Sequence, residues 1–189
     1  TVLVLAPHGD DELNLAGGVM EEYIAAGSRV TVAFTTNGDA QVDADIRAAE
    51  ELAAAASLGI GADRVIFLGY DSGTARGWPY LFEATEPTRS LAGNFATHAV
   101  AGVAPWREDS PYTRAAFTED LYSLLCSLRP DVVIPCLADQ EIDHRTLALC
   151  FEQAMGAALR DLPDWQPQVL GAYAYAAAWH APDDFESSI

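Results

Sequence analysis

Short runs of β-branched and other apolar residues alternate along the chain with longer segments of helical periodicity. The expected strands are residues 2–6, 29–36, 65–68 and 131–135, with a last strand near residues 169–178. The expected helices are residues 11–26, 44–58, 112–128 and 143–159. Strands that alternate with helices form parallel sheets through right-handed crossovers. The pattern therefore predicts one α/β domain over residues 1–189, with a doubly wound, mostly parallel sheet and helices on both faces.

One long segment lacks this alternation. Residues 69–110 show no periodicity and contain many Gly, Pro, Thr and Trp residues, over a length that exceeds a simple connection. Because long irregular segments often carry function, we expect this one to lie over the site and to shape substrate access. Trp78 and Trp106 are its candidates for stacking on a sugar ring, and packing in the protein is the alternative role.

The composition excludes several classes of function. The formal net charge is −18, and all ten basic residues are arginines. Binding to nucleic acid or to an anionic membrane surface requires clustered cationic side chains, so we expect a neutral or cationic small molecule as the partner. No apolar run approaches the roughly 18 residues of a membrane span. Cys126, Cys136 and Cys150 lie in apolar segments without CxxC spacing, which predicts structural thiols.

The sequence leaves the cellular location and the oligomeric state open. A cytoplasmic location is favoured, because the first residues read as a core strand and lack a basic signal-peptide start. The chain begins at Thr1 without Met, so a removed signal peptide and a truncated C-terminus stay as alternatives.

Polar side chains follow the first and the fourth predicted strands. His8, Asp10 and Asp11 come directly after the first strand, and Asp143 and His144 follow the fourth. If the strands take the common order 3-2-1-4-5, these two strands are neighbours. Both polar segments then lie at the topological switch point of the sheet, where α/β proteins bind their ligands.

Two imidazoles and one carboxylate are a donor set typical of a catalytic zinc centre. His8, Asp11 and His144 would hold Zn²⁺ and leave a fourth position for water. Zinc lowers the pKa of its water to about 7, so hydrolysis of an amide then needs only a general base. Asp10 is the candidate base, and Asp143 is the candidate for orienting an imidazole or that base. Helix capping is the alternative for Asp10 and Asp11.

Several short segments spread over the chain share one recognisable pattern. They are His8-x-Asp10-Asp11-Glu12, Thr36-Asn37-Gly38-Asp39, Arg47-x-x-Glu50, Leu68-Gly69-Tyr70-x-Ser72-Gly73, and Arg129-Pro130-Asp131-Val132-Val133 leading to Asp143-His144. In these segments the chain resembles the LmbE/PIG-L family of zinc-dependent N-acetylglucosaminyl deacetylases. The segment at residues 110–114 is similar to a bacterial branch of that family.

The resemblance implies a fold, a cofactor and an activity. The fold would be Rossmann-like, and Zn²⁺, with Fe²⁺ as the alternative ion, would be held by the positions that match His8, Asp11 and His144. An aspartate base would stand at Asp10. The activity would be removal of an acetyl group from an amino sugar that contains N-acetylglucosamine.

The chain departs from the family pattern at two positions. Gly9 stands where the family has proline, a change expected to loosen the turn and do little harm. Glu141 stands where the family has a histidine thought to stabilise the oxyanion, a task that a carboxylate performs only when protonated. Zinc alone, His98 or His180 could replace that donor, or Glu141 could contact an amine of the substrate. The alternative function is a weakened or silent metal-containing carbohydrate-binding domain.

Other matching residues have plain structural alternatives. Asn37 and Asp39 are expected first as turn formers and second as site residues. Arg47 and Glu50 have the spacing of an ordinary ion pair on a helix surface.

Overall fold

A computed structural model describes residues 1–40 and 42–175 of the chain. The strands are β1 (Val2–Ala6), β2 (Val30–Thr36), β3 (Val65–Tyr70), β4 (Val132–Pro135) and β5 (Gln168–Val169). The helices are α1 (Asp11–Ala25), α2 (Ala44–Ser57), α3 (Tyr80–Glu83), α4 (Arg114–Leu128) and α5 (Ile142–Asp161). All five strands are parallel and lie in the order β3-β2-β1-β4-β5. The strand order on which the site prediction depends is therefore confirmed.

β1 is the central strand of the sheet. Each of its residues is at most 2% exposed, as expected for a continuous apolar run that is covered on both faces. Val4 pairs with Val32 of β2 on one side and with Ile134 of β4 on the other. Because β1 and β4 are parallel neighbours, the chain leaves both at the same edge of the sheet, which brings the polar segments behind them together.

The helices cover both faces of this sheet. The chain runs from β1 outward to β3 and then returns past β1 to β4. With right-handed crossovers, this reversal places α1 and α2 on one face and α4 and α5 on the other. α1 buries Leu15, Ala16 and Met20, and α4 packs against α5. The predicted doubly wound α/β architecture is confirmed.

Predicted and observed boundaries differ by a few residues. α4 begins at Arg114 and not at Tyr112, because the side chain of Thr113 caps the helix by accepting a hydrogen bond from Ala116 N (3.2 Å). β5 has only two residues, and a separate bridge pairs Cys136 with Ala172. Residues 176–178 of the expected last strand lie outside the described residues.

Residues 69–110 are irregular for most of their length, but they are anchored to the domain. They contain a 3₁₀ turn over Thr74–Arg76 and the four-residue helix α3, which are too short to show periodicity in the sequence. Tyr70 is fully buried, and its hydroxyl donates to Asp120 of α4 at 2.6 Å. Among the described helices, none is long and apolar enough to cross a membrane.

Candidate metal centre

Two helix N-termini deliver the candidate ligands to one place. His8 lies in the loop after β1, and Asp11 is the first residue of α1. The backbone N–H of His8 donates to Asp11 Oδ2 at 3.1 Å, which fixes the turn between them. His144 lies in the first turn of α5, and its backbone N–H donates to Oε2 of the capping residue Glu141 at 2.8 Å. The structure therefore brings together the three side chains that the sequence predicts as ligands.

One carboxylate oxygen lies between the two imidazoles. Asp11 Oδ2 is 3.1 Å from His8 Nδ1 and 3.1 Å from His144 Nε2. Asp11 and His144 are fully buried, and the side chain of His8 is 13% exposed. Three donor atoms of the kinds that zinc prefers thus converge at the carboxyl edge of the sheet.

Each imidazole is held through its other nitrogen by a second carboxylate. His8 Nε2 lies 3.0 Å from Asp143 Oδ2, and His144 Nδ1 lies 2.7 Å from Asp139 Oδ2. Such carboxylate partners fix the tautomer of a ligating imidazole and direct its free nitrogen at the metal. Asp143 thus contacts an imidazole and does not contact Asp10 in this structure, which favours the first of the two roles predicted for it. The role of Asp139 was missed, although an aspartate shortly before a helix that carries a ligand is a usable signal.

Asp143 is itself fixed by a loop from the irregular segment. Its carboxylate accepts hydrogen bonds from Ser72 Oγ (2.6 Å), Gly73 N (2.9 Å) and Thr74 N (3.3 Å). Burial raises the pKa of Asp143, but the contacts with His8 and these donors outweigh burial and hold the pKa below its usual value. Asp143 is therefore a fixed anion behind His8.

Buried donor atoms without partners test whether the centre fits a cation. His144 Nε2, Asp11 Oδ1 and Glu141 Oε1 are buried and make no hydrogen bond within residues 1–40 and 42–175. His8, Glu141 and His144 also offer atoms that all lie within 4.8 Å of one another. Buried polar atoms are almost always satisfied in native proteins, and a bound divalent cation would satisfy these. The donor set fits the metal that the sequence predicts.

The acidic side chains around His8 and His144 favour positive charge at the candidate metal centre. Burial lowers the pKa of His8, but hydrogen bonds to Asp11 and Asp143 outweigh it and raise that pKa to about 10. Burial opposes a proton on His144 in the same way, and Asp11 is the largest of the influences that raise its pKa to about 11. Positive charge is therefore favoured here, either as protons on the imidazoles or as a bound cation that displaces them.

Asp10 presents a free carboxylate beside this centre. Its side chain is exposed and makes no capping hydrogen bond to α1, while its backbone N–H donates to Glu12 Oε2 at 3.0 Å. Burial of part of the group and the neighbouring Asp11 raise the pKa of Asp10. The capping alternative thus lacks its hydrogen bond.

Gly9 lies in close contact with a buried side chain. A Cβ atom at position 9 would lie 2.0 Å from Cγ of Glu51, a distance that no side chain tolerates without movement. Glu51 belongs to α2, is only 3% exposed, and has no hydrogen-bond partner for either carboxylate oxygen. The expectation that Gly9 merely loosens the turn was therefore incomplete, because the glycine makes room for Glu51. The sequence analysis missed this buried glutamate.

Other predicted residues support the loops around the centre. Asn37 donates to Asp71 Oδ1 at 3.0 Å, and Asp39 accepts a hydrogen bond from the backbone of Ser72 at 2.6 Å. Both therefore brace the loop that holds Asp143. Arg47 Nη1 lies 3.8 Å from Oε2 of the mostly exposed Glu50. This contact is the ordinary ion pair on a helix surface that was given as the alternative for these two residues.

The aromatic and histidine candidates have structural partners. Trp106 donates from Nε1 to Ser123 on α4 at 2.7 Å, which matches its packing alternative. His98 Nε2 lies 3.9 Å from Asp71 Oδ1, and His98 Nδ1 lies 3.4 Å from the hydroxyl of Tyr112. His180 lies outside the described residues. Tyr175, which the sequence analysis did not single out, stacks on His144 with ring centroids 5.2 Å apart.

The fold and the site define an α/β protein with a candidate divalent-metal centre at the carboxyl edge of its parallel sheet. A family model described as "PIG-L: GlcNAc-PI de-N-acetylase" matches residues 3–155. The chain belongs to this PIG-L family of LmbE-like deacetylases, as the motifs predict. No curated protein sequence matches the chain significantly.

Solved structures with the same fold support the architecture. A conserved protein from Thermus thermophilus has a TM-score of 0.60 at 22% identity, over 96% of this chain and 67% of that one. The N,N'-diacetylchitobiose deacetylase of Pyrococcus horikoshii has a TM-score of 0.58 at 19% identity, over 91% and 59%. The A40926 pseudoaglycone deacetylase has a TM-score of 0.57 at 19% identity, over 96% and 69%. At such identities the likeness shows the fold, and this chain spans 59–69% of the lengths of these proteins.

Proposed function

We propose that the protein is a zinc-dependent hydrolase that removes the N-acetyl group from an amino sugar containing N-acetylglucosamine. The observation that carries this proposal is the convergence of His8 Nδ1, Asp11 Oδ2 and His144 Nε2. Beside them, Asp11 Oδ1 and Glu141 Oε1 are buried and accept no hydrogen bond from the described residues. Membership of a family described as de-N-acetylases supports the same reaction class.

The roles of the residues follow from their contacts. His8, Asp11 and His144 would hold the zinc ion, and Asp143 and Asp139 would keep the two imidazoles in the ligating tautomer. When bound, zinc supplies a water of lowered pKa and polarises the carbonyl oxygen of the amide.

Asp10 would act as general base and then as general acid. Its carboxylate is free of capping bonds and adjacent in sequence to the ligand Asp11, so it is available to a water at the centre. It would take a proton from the attacking water and return that proton to the leaving nitrogen. Its raised pKa suits the second half of this task, because a carboxyl of raised pKa holds the proton more readily.

The charge of the protein supports an amino sugar over an anionic substrate. The chain carries a formal net charge of −18, and acidic side chains surround the centre. Phosphoryl chemistry normally relies on cationic clamps, whereas a neutral amide needs none. Two structural relatives are named as deacetylases, one of N,N'-diacetylchitobiose and one of a pseudoaglycone. We propose a substrate of the same kind, an acetylated amino sugar, for this chain.

Acetate release by the zinc-loaded 189-residue chain tests the proposal. The substrates would be N-acetylglucosamine, N,N'-diacetylchitobiose and simple N-acetylglucosaminides. We expect release that falls by about 10²–10⁴-fold in Asp10→Asn, as is typical for loss of a general base. The variant should keep its zinc, and the matched exposed variant Glu21→Gln, also on α1, should keep both zinc and activity.

Two outcomes would contradict the proposal in different ways. Full activity in Asp10→Asn would remove Asp10 from the mechanism. Sugar binding with bound zinc and no acetate release would instead favour the silent carbohydrate-binding domain that the glutamate at position 141 suggests.

A further inference from the structure

The two carboxylate oxygens of Glu141 have different environments. Oε2 accepts the backbone N–H of His144 at 2.8 Å and so caps α5. Oε1 is buried and has no hydrogen-bond partner in the part of the chain that the structure describes. A capping role therefore accounts for one oxygen of Glu141 and leaves the other unexplained.

The free oxygen belongs to a side chain that faces the candidate metal centre. Glu141 Oε2 lies 3.7 Å from His144 Nε2, and the ligand atoms of His8, Glu141 and His144 all lie within 4.8 Å of one another. His144 Nε2 is also buried and, although it lies 3.1 Å from Asp11 Oδ2, it makes no hydrogen bond to the described residues. Among the described residues, His144 is the one ion-pair partner of Glu141, and it is itself a candidate ligand.

A bound cation accounts for both unpartnered atoms at once. A buried carboxylate oxygen without a donor is costly, and the cost disappears if the oxygen coordinates a metal. Carboxylate oxygen is a regular zinc ligand beside imidazole nitrogen. A cap alone, by contrast, would be served equally well by a short side chain such as Ser or Asp that buries no second oxygen.

We propose that Glu141 is a fourth protein ligand of the metal, which it binds through Oε1 while Oε2 caps α5. This inference rests on the proposed metal centre and adds to it. The ligand set becomes two imidazoles and two carboxylates, and the residue at position 141 acts on the metal itself. It therefore does not serve as a hydrogen-bond donor to the oxyanion.

A second carboxylate ligand would change which metal ions the centre prefers. A second carboxylate adds a negative charge and a hard oxygen donor, and oxygen ligands favour ions such as Mn²⁺ more than imidazoles do. With four protein residues holding the metal, the water that the reaction requires would be an additional ligand.

Zinc affinity in Glu141→Gln tests this inference without relying on activity. Glutamine keeps an oxygen that can cap α5 but removes the anionic ligand, so the fold is retained. Competition with a chromophoric chelator would give the affinity of the 189-residue chain for Zn²⁺. We expect Glu141→Gln to weaken zinc binding by at least about tenfold. The exposed Glu152→Gln on the same helix should change it less than about twofold.

The visible absorption of the Co²⁺-loaded protein gives a second reading. Its bands report coordination number and donor type, so they should shift in Glu141→Gln and stay unchanged in Glu152→Gln. Equal zinc affinity and an identical Co²⁺ spectrum in Glu141→Gln would overturn the fourth ligand and leave the three-ligand centre intact. Failure of the unsubstituted protein to bind Zn²⁺ would overturn the proposed metal centre together with this inference.

Discussion

Two sets of buried acidic side chains lie near the loop that follows β1, and they differ in their partners. In the first, which we call the imidazole cluster, Asp11, Asp139 and Asp143 contact His8 and His144 at 2.7–3.1 Å. In the second, the Glu12–Glu51 pair, Glu51 has no hydrogen-bond partner for either oxygen. Buried carboxyl groups thus have imidazole partners in the first cluster and no such partners in the second.

The pKa values express this difference. The imidazoles and backbone donors outweigh burial and hold the pKa of Asp11 and of Asp143 below the usual value. Burial, with a smaller contribution from Glu12, raises the pKa of Glu51 to about 8. The imidazole cluster keeps its charge and is suited to a cation, whereas a pKa of about 8 leaves Glu51 mostly protonated at pH 7. Burial of an acidic side chain alone therefore does not indicate a metal site.

The largest expected effect comes from replacing Asp11 of the imidazole cluster, compared with the matched replacement of Glu51. Asp11→Asn should weaken Zn²⁺ binding by at least about 100-fold, because even an outer carboxylate typically contributes 10–100-fold. Glu51→Gln should change zinc affinity less than about threefold, since Glu51 is mostly protonated at pH 7. Isothermal titration with Zn²⁺ measures both variants against the unsubstituted chain. A similar loss in both would show that the two clusters act as one site.

A smaller effect is expected in the pH dependence of stability. The unfolded protein releases the Glu51 proton near pH 4.5, and the folded protein keeps it until about pH 8. The folded state therefore binds more protons between these values, and the Glu51 contribution to the free energy of unfolding falls as pH rises through this window. Each pH unit corresponds to about 1.4 kcal/mol at most, so the fall between pH 5 and pH 7 is about 2 kcal/mol.

Glu51→Gln should remove this fall, because glutamine does not titrate. Urea unfolding at pH 5 and at pH 7, in the presence of a chelator, gives the free energies for the two proteins. The free energy of unfolding of the variant minus that of the unsubstituted protein should increase by about 2 kcal/mol from pH 5 to pH 7. The neighbouring exposed variant Glu50→Gln should show no such growth, and an equal growth there would assign the effect to general charge repulsion.

The sequence predicted the sheet, and it predicted that the candidate ligands meet at one edge, because both depend on local patterns. Apolar runs of strand length fix β1 and β4, and their parallel pairing brings His8 and His144 to one edge. The partners of the imidazole nitrogens are less accessible from sequence. Asp139 was not predicted, since its contact with His144 depends on how the loop before α5 folds.

The burial of Glu51 could not be predicted from the sequence. It lies in an Ala-rich helix next to the exposed Glu50, and only the rotation of α2 against the loop decides which glutamate is buried. Tyr175 is similar, because its stacking on His144 depends on the path of the chain after β5. Contacts between elements distant in sequence leave no periodic signal in either element.

The smallest effect expected is the steric coupling between Gly9 and Glu51. Gly9→Ala places a Cβ atom 2.0 Å from Glu51 Cγ, so the glutamate side chain or the loop must move. Glu51→Ala removes the obstructing atoms and should make Gly9→Ala nearly harmless. A double-mutant cycle of unfolding free energies should therefore give a favourable coupling of about 1 kcal/mol. Additive effects would show that the backbone of the turn, and not Glu51, requires the glycine. Gly9 would then have no part in the difference between the two clusters.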